Sequence, residues 1–115
     1  MSLQNFYMPR IVKIIAKEST VTDWLKYTIS LFTLRKYSGD DIQIFYADKV
    51  TLPLPENNSI KKINLIIIPE QFFKTKNAEA KIEQVVKYTS EITIIIAPET
   101  EERYLQQYED FQSLF

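Results

Sequence analysis

Two stretches of the chain leave little freedom in what it can fold into. Ile63-Asn64-Leu65-Ile66-Ile67-Ile68 and Glu91-Ile92-Thr93-Ile94-Ile95-Ile96-Ala97 are short, β-branched runs, each stopped by a proline, Pro69 and Pro98. A run with so little polar alternation has no solvent-facing side, so each predicts a strand covered on both faces. Such strands belong to parallel sheets with helices packed above and below. The two strand ends echo each other, Ile66-Ile67-Ile68-Pro69-Glu70 against Ile94-Ile95-Ile96-Ala97-Pro98-Glu99. The period covers one strand and one helix, which marks equivalent strand ends rather than a repeat protein.

The other elements fall around these two runs. Arg10 to Lys17 is compact and β-branched and reads as the first strand. Ser19, Thr20 and Thr22 offer cap oxygens to a first helix whose apolar stripe is Val21, Trp24, Leu25, Thr28 and Phe32, widened by Leu31 and Leu34. Gly39, the single glycine, is placed to end that helix in a left-handed conformation. Asp41 to Ala47 alternates polar and apolar residues and fits a half-buried edge strand. Thr51 to Lys61 carries Pro53, Pro55 and Asn57-Asn58-Ser59, so an extended connection with Leu52 and Leu54 turned inward is expected. A second helix starts near Thr75 or Asn77 and follows Ala78, Ile82, Val85 and Val86, with Glu79, Lys81, Glu83 and Lys87 on its wet side. Tyr104, Leu105, Tyr108, Phe111 and Phe115 predict the apolar face of a last helix.

Strands alternating with helices predict an α/β fold: a three-layer, Rossmann-like or flavodoxin-like sandwich with three helices around a four-stranded, mainly parallel sheet. Right-handed crossovers favour strand order 2-1-3-4, with one face thinly covered because the connection Thr51 to Lys61 has no helix. The competing topology folds Ile42 to Ile68 into a hairpin turning at Glu56-Asn57-Asn58-Ser59, with the third strand antiparallel to the second. A tail of residues 1–9 precedes one domain spanning residues 10–115, since 115 residues suit a single core.

Composition removes most catalytic chemistries. The chain has no cysteine and no histidine, so thiolate nucleophiles, imidazole bases and their metal sites are excluded. No glycine-rich loop follows a predicted strand, which argues against phosphate-cradling nucleotide sites. A net charge of -1 gives no positive field for a polyanion. Neither a signal peptide nor a membrane-spanning run is visible, so an intracellular, cytoplasmic protein without a membrane partner is expected.

An acid follows every predicted strand: Glu18, Asp48, Glu70 and Glu99. In a parallel sheet their side chains share the carboxyl rim, where open α/β sheets bind ligands, and together they could hold Mg²⁺ or a small ligand. Order 2-1-3-4 places Glu18 beside Glu70 and Glu70 beside Glu99. The plainer explanation is that acids before helices complement the helix dipole, worth about 0.3–1 kcal/mol each.

Aromatic residues outside the periodic elements, Phe6 and Tyr7 in the tail and Phe72 and Phe73 after the third strand, are candidates for a protein-binding patch, together with Leu52 and Leu54 at the thin face. The basic residues Lys61-Lys62, Lys74, Lys76, Lys26, Arg35 and Lys36 fit a solvated surface better than a nucleic-acid track. What survives these exclusions is an interaction module: a homodimer or a non-catalytic subunit of a larger assembly. A small-ligand or Mg²⁺ site on the acidic rim is the second expectation, and a nucleic-acid accessory protein the third.

Overall fold

A computed structural model describes residues 9–54 and 60–115. Five strands form one sheet: β1 (Arg10–Ile15), β2 (Ile42–Tyr46), β3 (Lys61–Ile67), β4 (Thr89–Ala97) and the short β5 (Glu109–Asp110). Every neighbouring pair is parallel, in the order β2-β3-β4-β1-β5. Helix α1 (Val21–Leu34) covers one face and helix α2 (Ala78–Val86) the other, which makes the expected three-layer α/β sandwich.

Burial on both faces decides which strands lie inside. β3 and β4 present core residues to both layers: Ile63, Leu65, Ile94 and Ile96 pack with Phe32 under α1, while Ile66, Ile68 and Ile95 pack with Ile82 and Val85 under α2. Less uniformly apolar, β2 takes an edge, as its alternation predicts. The expected order 2-1-3-4 is corrected: β1 lies between β4 and β5, not beside β2. The connection after β2 only has to reach the adjacent strand, with β3 parallel to β2, so the hairpin alternative also falls. Charged side chains on β1 explain its place near the far edge. Arg10 pairs with Glu109 at 2.8 Å, and the Lys13 ammonium donates to the Tyr108 carbonyl at 2.6 Å and lies 3.6 Å from Asp110.

The last helix is corrected too. A 3-10 segment, Glu99–Leu105, is followed by β5 and a second 3-10 segment, Phe111–Leu114. Leu105 packs into the layer under α2 and Phe111 into the layer under α1, so one continuous helix could not deliver both. Passing beside β1 as a short strand carries the chain from one face to the other.

Helix α1 ends earlier than Gly39. The Lys36 N–H bonds to the Thr33 carbonyl and the Tyr37 N–H to the Phe32 carbonyl, each at 3.0 Å, while Lys36 itself takes φ 75°. This is a Schellman closure with lysine in the left-handed position, completed by an edge-to-face contact of Phe32 and Tyr37 at 5.5 Å. Gly39 has no positive φ. It opens a 3-10 turn, Gly39–Asp41, that Ser38 and Asp41 cap reciprocally. The Asp41 carboxyl is held below its ordinary range, chiefly by the Ser38 backbone N–H at 2.8 Å.

A polar row crosses the sheet beneath α2. Gln43, Asn64 and Thr93 are register partners on β2, β3 and β4, and they share the side of Phe45, Ile66 and Ile95 two residues on. The Asn64 amide donates to the Val85 carbonyl at 2.9 Å. Gln43 Oε1, Asn64 Oδ1 and Thr93 Oγ1 are buried without a protein partner, as is Thr28 Oγ1 on α1.

Candidate functional site

The carboxyl ends of the strands lie on one rim, because the sheet is parallel. Along it the four acids run Asp48, Glu70, Glu99, Glu18, so Glu70 neighbours Glu99 as expected while Glu18 neighbours Glu99 and not Glu70. All four side chains are exposed. Glu18, Asp48 and Glu99 each occupy the first turn of a 3-10 segment. Among the described residues, no three acidic side chains are grouped to hold a metal ion.

From β1 the chain leaves toward α1, and from β4 toward Glu99–Leu105 on the opposite face. A crevice at such a divergence is where open α/β sheets bind ligands. Here it is a shallow cavity of about 170 Å³ with Ala16, Val21, Ile67 and Pro98 as walls and Glu18 and Glu70 at its mouth. That is below the roughly 300 Å³ at which pockets for nucleotide-sized ligands begin.

The candidates for protein contact separate. Phe6 and Tyr7 lie outside the described residues, as do Pro55, Glu56 and Asn57-Asn58-Ser59. Phe72 is only 2% exposed and belongs to the core, which corrects its reading as a docking aromatic. Phe73 is half-buried and stacks on Tyr104 with ring centroids 4.6 Å apart. Leu52 and Leu54 pack against the α2-side core, so the connection after β2 does cover that face. The thinner cover is on the opposite side. There Ile42 packs beneath α1, but Ile44 and Tyr46, further along the same side of β2, remain 40% and 46% exposed. An open groove of about 340 Å³ follows this edge, bordered by Ile44, Phe45, Tyr46, Val50 and Leu54 and also by Lys49 and Thr51.

Charged and polar groups missed by sequence reasoning include Glu101, which is 3% exposed and accepts the Phe73 backbone N–H at 3.3 Å. Nothing in the pattern distinguishes it from exposed Glu102. A second is the Tyr37–Glu91 pair, in which the phenol donates to the carboxylate at 2.5 Å. Several cations are held locally: Lys61 donates to the Asp40 carbonyl at 3.0 Å, Lys62 lies over the Tyr37 ring at 6.0 Å, and Arg35 over Phe115 at 4.5 Å. They form no track toward one stacking platform.

Comparison with protein-family models, with curated proteins and with solved structures found no match. No described helix is long and apolar enough to cross a membrane.

Proposed function

We propose that the chain is a non-catalytic interaction module that pairs with a second copy of itself along the outer edge of β2. One observation carries this reading: β2 is an edge strand whose own residues include none of the devices that normally block edge pairing, the nearest being Lys49 just beyond it, whose ammonium lies 5.5 Å from the centre of the Tyr46 ring. Ile42-Gln43-Ile44-Phe45-Tyr46 contains no charge, no proline and no glycine. Native edges are usually protected by lysine, proline or a bulge, because unpaired N–H and C=O groups template another strand. Exposed Ile44 and Tyr46 and the groove beside them add apolar area to bury.

A second copy fits because a strand without charge does not repel itself across a two-fold axis. Antiparallel β2–β2 pairing would join two five-stranded sheets into one of ten. The side chains of Ile44 and Tyr46 then meet their counterparts near the axis and bury what the monomer leaves wet.

Sedimentation or light scattering across a concentration series tests the proposal. The parent chain is expected to move from monomer to dimer as concentration rises, and Ile44→Lys or Tyr46→Lys to remain monomeric. A parent that stays monomeric at high concentration, or a dimer untouched by both lysines, would overturn it.

A further inference from the structure

The charges beyond the two ends of β2 dictate how a second copy aligns. We infer that Asp48 of one copy and Lys61 of the other form an ion pair at each end of the β2–β2 contact and fix its register. The inference rests on the edge-pairing reading above and adds the residues that make the pairing selective.

A two-fold axis perpendicular to the sheet returns each face to itself. Directly opposite residues of an antiparallel pair share a face, so the axis passes beside a residue and not between two. With the axis at Ile44, the whole of Ile42–Tyr46 is paired: Ile44 faces its own copy and Ile42 faces Tyr46. All three lie on the α1 side, where Ile44 and Tyr46 are exposed. Moving the axis to Gln43 or Phe45 pairs only residues 42–44 or 44–46, and takes Tyr46 or Ile42 out of the contact.

Counting outward from Ile44, position 48 of one copy stands level with position 40 of the other. Lys61 already reaches that point. Ile42 of β2 is the register partner of Ile63 of β3, and two residues earlier the Lys61 ammonium donates across to the Asp40 carbonyl at 3.0 Å. Among the described residues, no carboxylate lies within ion-pair distance of it. Asp48 is exposed in the turn Ala47–Lys49 that follows β2, and it has no ion-pair or hydrogen-bond partner among the described residues. Neighbouring charges are engaged elsewhere: Ser38 holds the Asp41 carboxyl, Lys62 lies over the Tyr37 ring and Lys49 over the Tyr46 ring. Asp40 itself opposes Asp48, so Lys61 is what makes the approach favourable; like charges directly opposite would otherwise repel.

By symmetry the pair forms at both ends. Exposed ion pairs add little affinity singly, but opposite charges select a register and like charges exclude alternatives. A parallel pairing would instead set Asp48 beside Asp48 and Lys61 beside Lys61.

Charge exchange in the full chain tests the pair, read by sedimentation equilibrium and by native mass spectrometry with one protein ¹⁵N-labelled. Both charged groups are at the surface, so the exchanges spare the core. Asp48→Lys and Lys61→Glu are each expected to weaken self-association roughly tenfold, because like charges then meet at both ends. Mixed together, the two variants are expected to form a heterodimer above its statistical share, since each end again joins opposite charges. Asp48→Lys/Lys61→Glu should recover most of the parent affinity, and added salt should narrow the gap between the single variants and the parent. Statistical mixing, no recovery in the double variant, or a gap untouched by salt would overturn the ion pair, while a dimeric parent would still support the β2 edge. A parent that stays monomeric would overturn both.

Discussion

Tyr37 and Glu91 are 54 residues apart in sequence and are joined by a hydrogen bond of 2.5 Å between phenol and carboxylate. Tyr37 follows the left-handed closure of α1 and Glu91 lies in the opening half of β4, so the bond fastens the end of a helix to an inner strand. The hydrogen bond to Glu91, aided by burial, raises the Tyr37 hydroxyl from 10.0 to about 12.

A hydroxyl held more tightly in the folded chain than in the unfolded one stabilises the fold below the unfolded value, and this contribution is lost as pH rises through the folded one. Stability is expected to fall between pH 10 and about 12 in the parent. Tyr37→Phe should cost about 1 kcal/mol at neutral pH, and the difference from the parent should close above that window. Urea unfolding of both proteins at several pH values measures the two effects. A difference that does not change with pH would show that the bond is not their cause.

Lys36 adopts φ 75°, a conformation that costs a residue with a Cβ and favours glycine. Lys36→Gly should stabilise the chain by about 0.5–1 kcal/mol, the relief of strain less the extra freedom of glycine when unfolded. Gly39→Ala should be nearly neutral, because a Cβ there would meet nothing within 4 Å and φ is not positive. Thermal unfolding of the two variants distinguishes the residue that closes the helix from the one that merely follows it.

The buried hydroxyl of Thr93 has no protein partner, whereas the Asn64 amide donates to Val85. Thr93→Val should raise stability by about 1 kcal/mol by removing a desolvated group. Asn64→Ala should lower it by about 2 kcal/mol, since it opens a void and strips a carbonyl of its donor. Denaturant midpoints with an unchanged m-value are the readout.

Phe72 and Phe73 are adjacent in sequence but not equivalent. Phe72→Ala should cost about 3–5 kcal/mol, as for other buried aromatics. Half-buried Phe73 should cost less when truncated. Calorimetry of both variants measures the difference.

Local pattern made some of this legible in the sequence. The isoleucine runs marked β3 and β4 as covered on both faces, and the alternation of β2 placed it at an edge, because both depend on how many sides of a strand meet water; the expected order 2-1-3-4 nevertheless left β4 at an edge, where the structure puts it inside. The position of β1 was not legible. It depends on Arg10 and Lys13 meeting Glu109 and Asp110 nearly the whole chain away, and no short-range periodicity carries that pairing. Leu105 and Phe111 lie close enough for one helix stripe, and only the sheet between them shows that they serve opposite layers. At the candidate sites, parallel direction put the acids on one rim. Glu101 stayed hidden because it looks like exposed Glu102 until the Phe73 backbone N–H arrives beside it.

The insertion of β1 between β4 and β5 imposes a schedule on synthesis. Its register partners are Ile92 to Ala97 on one side and Glu109–Asp110 on the other. At about 5–20 residues per second, the nascent N-terminal strand waits several seconds for them to be translated. During that interval Val12 and Ile14 have no β4 to lie against, and the stripe of α1 lacks the floor that β4 supplies.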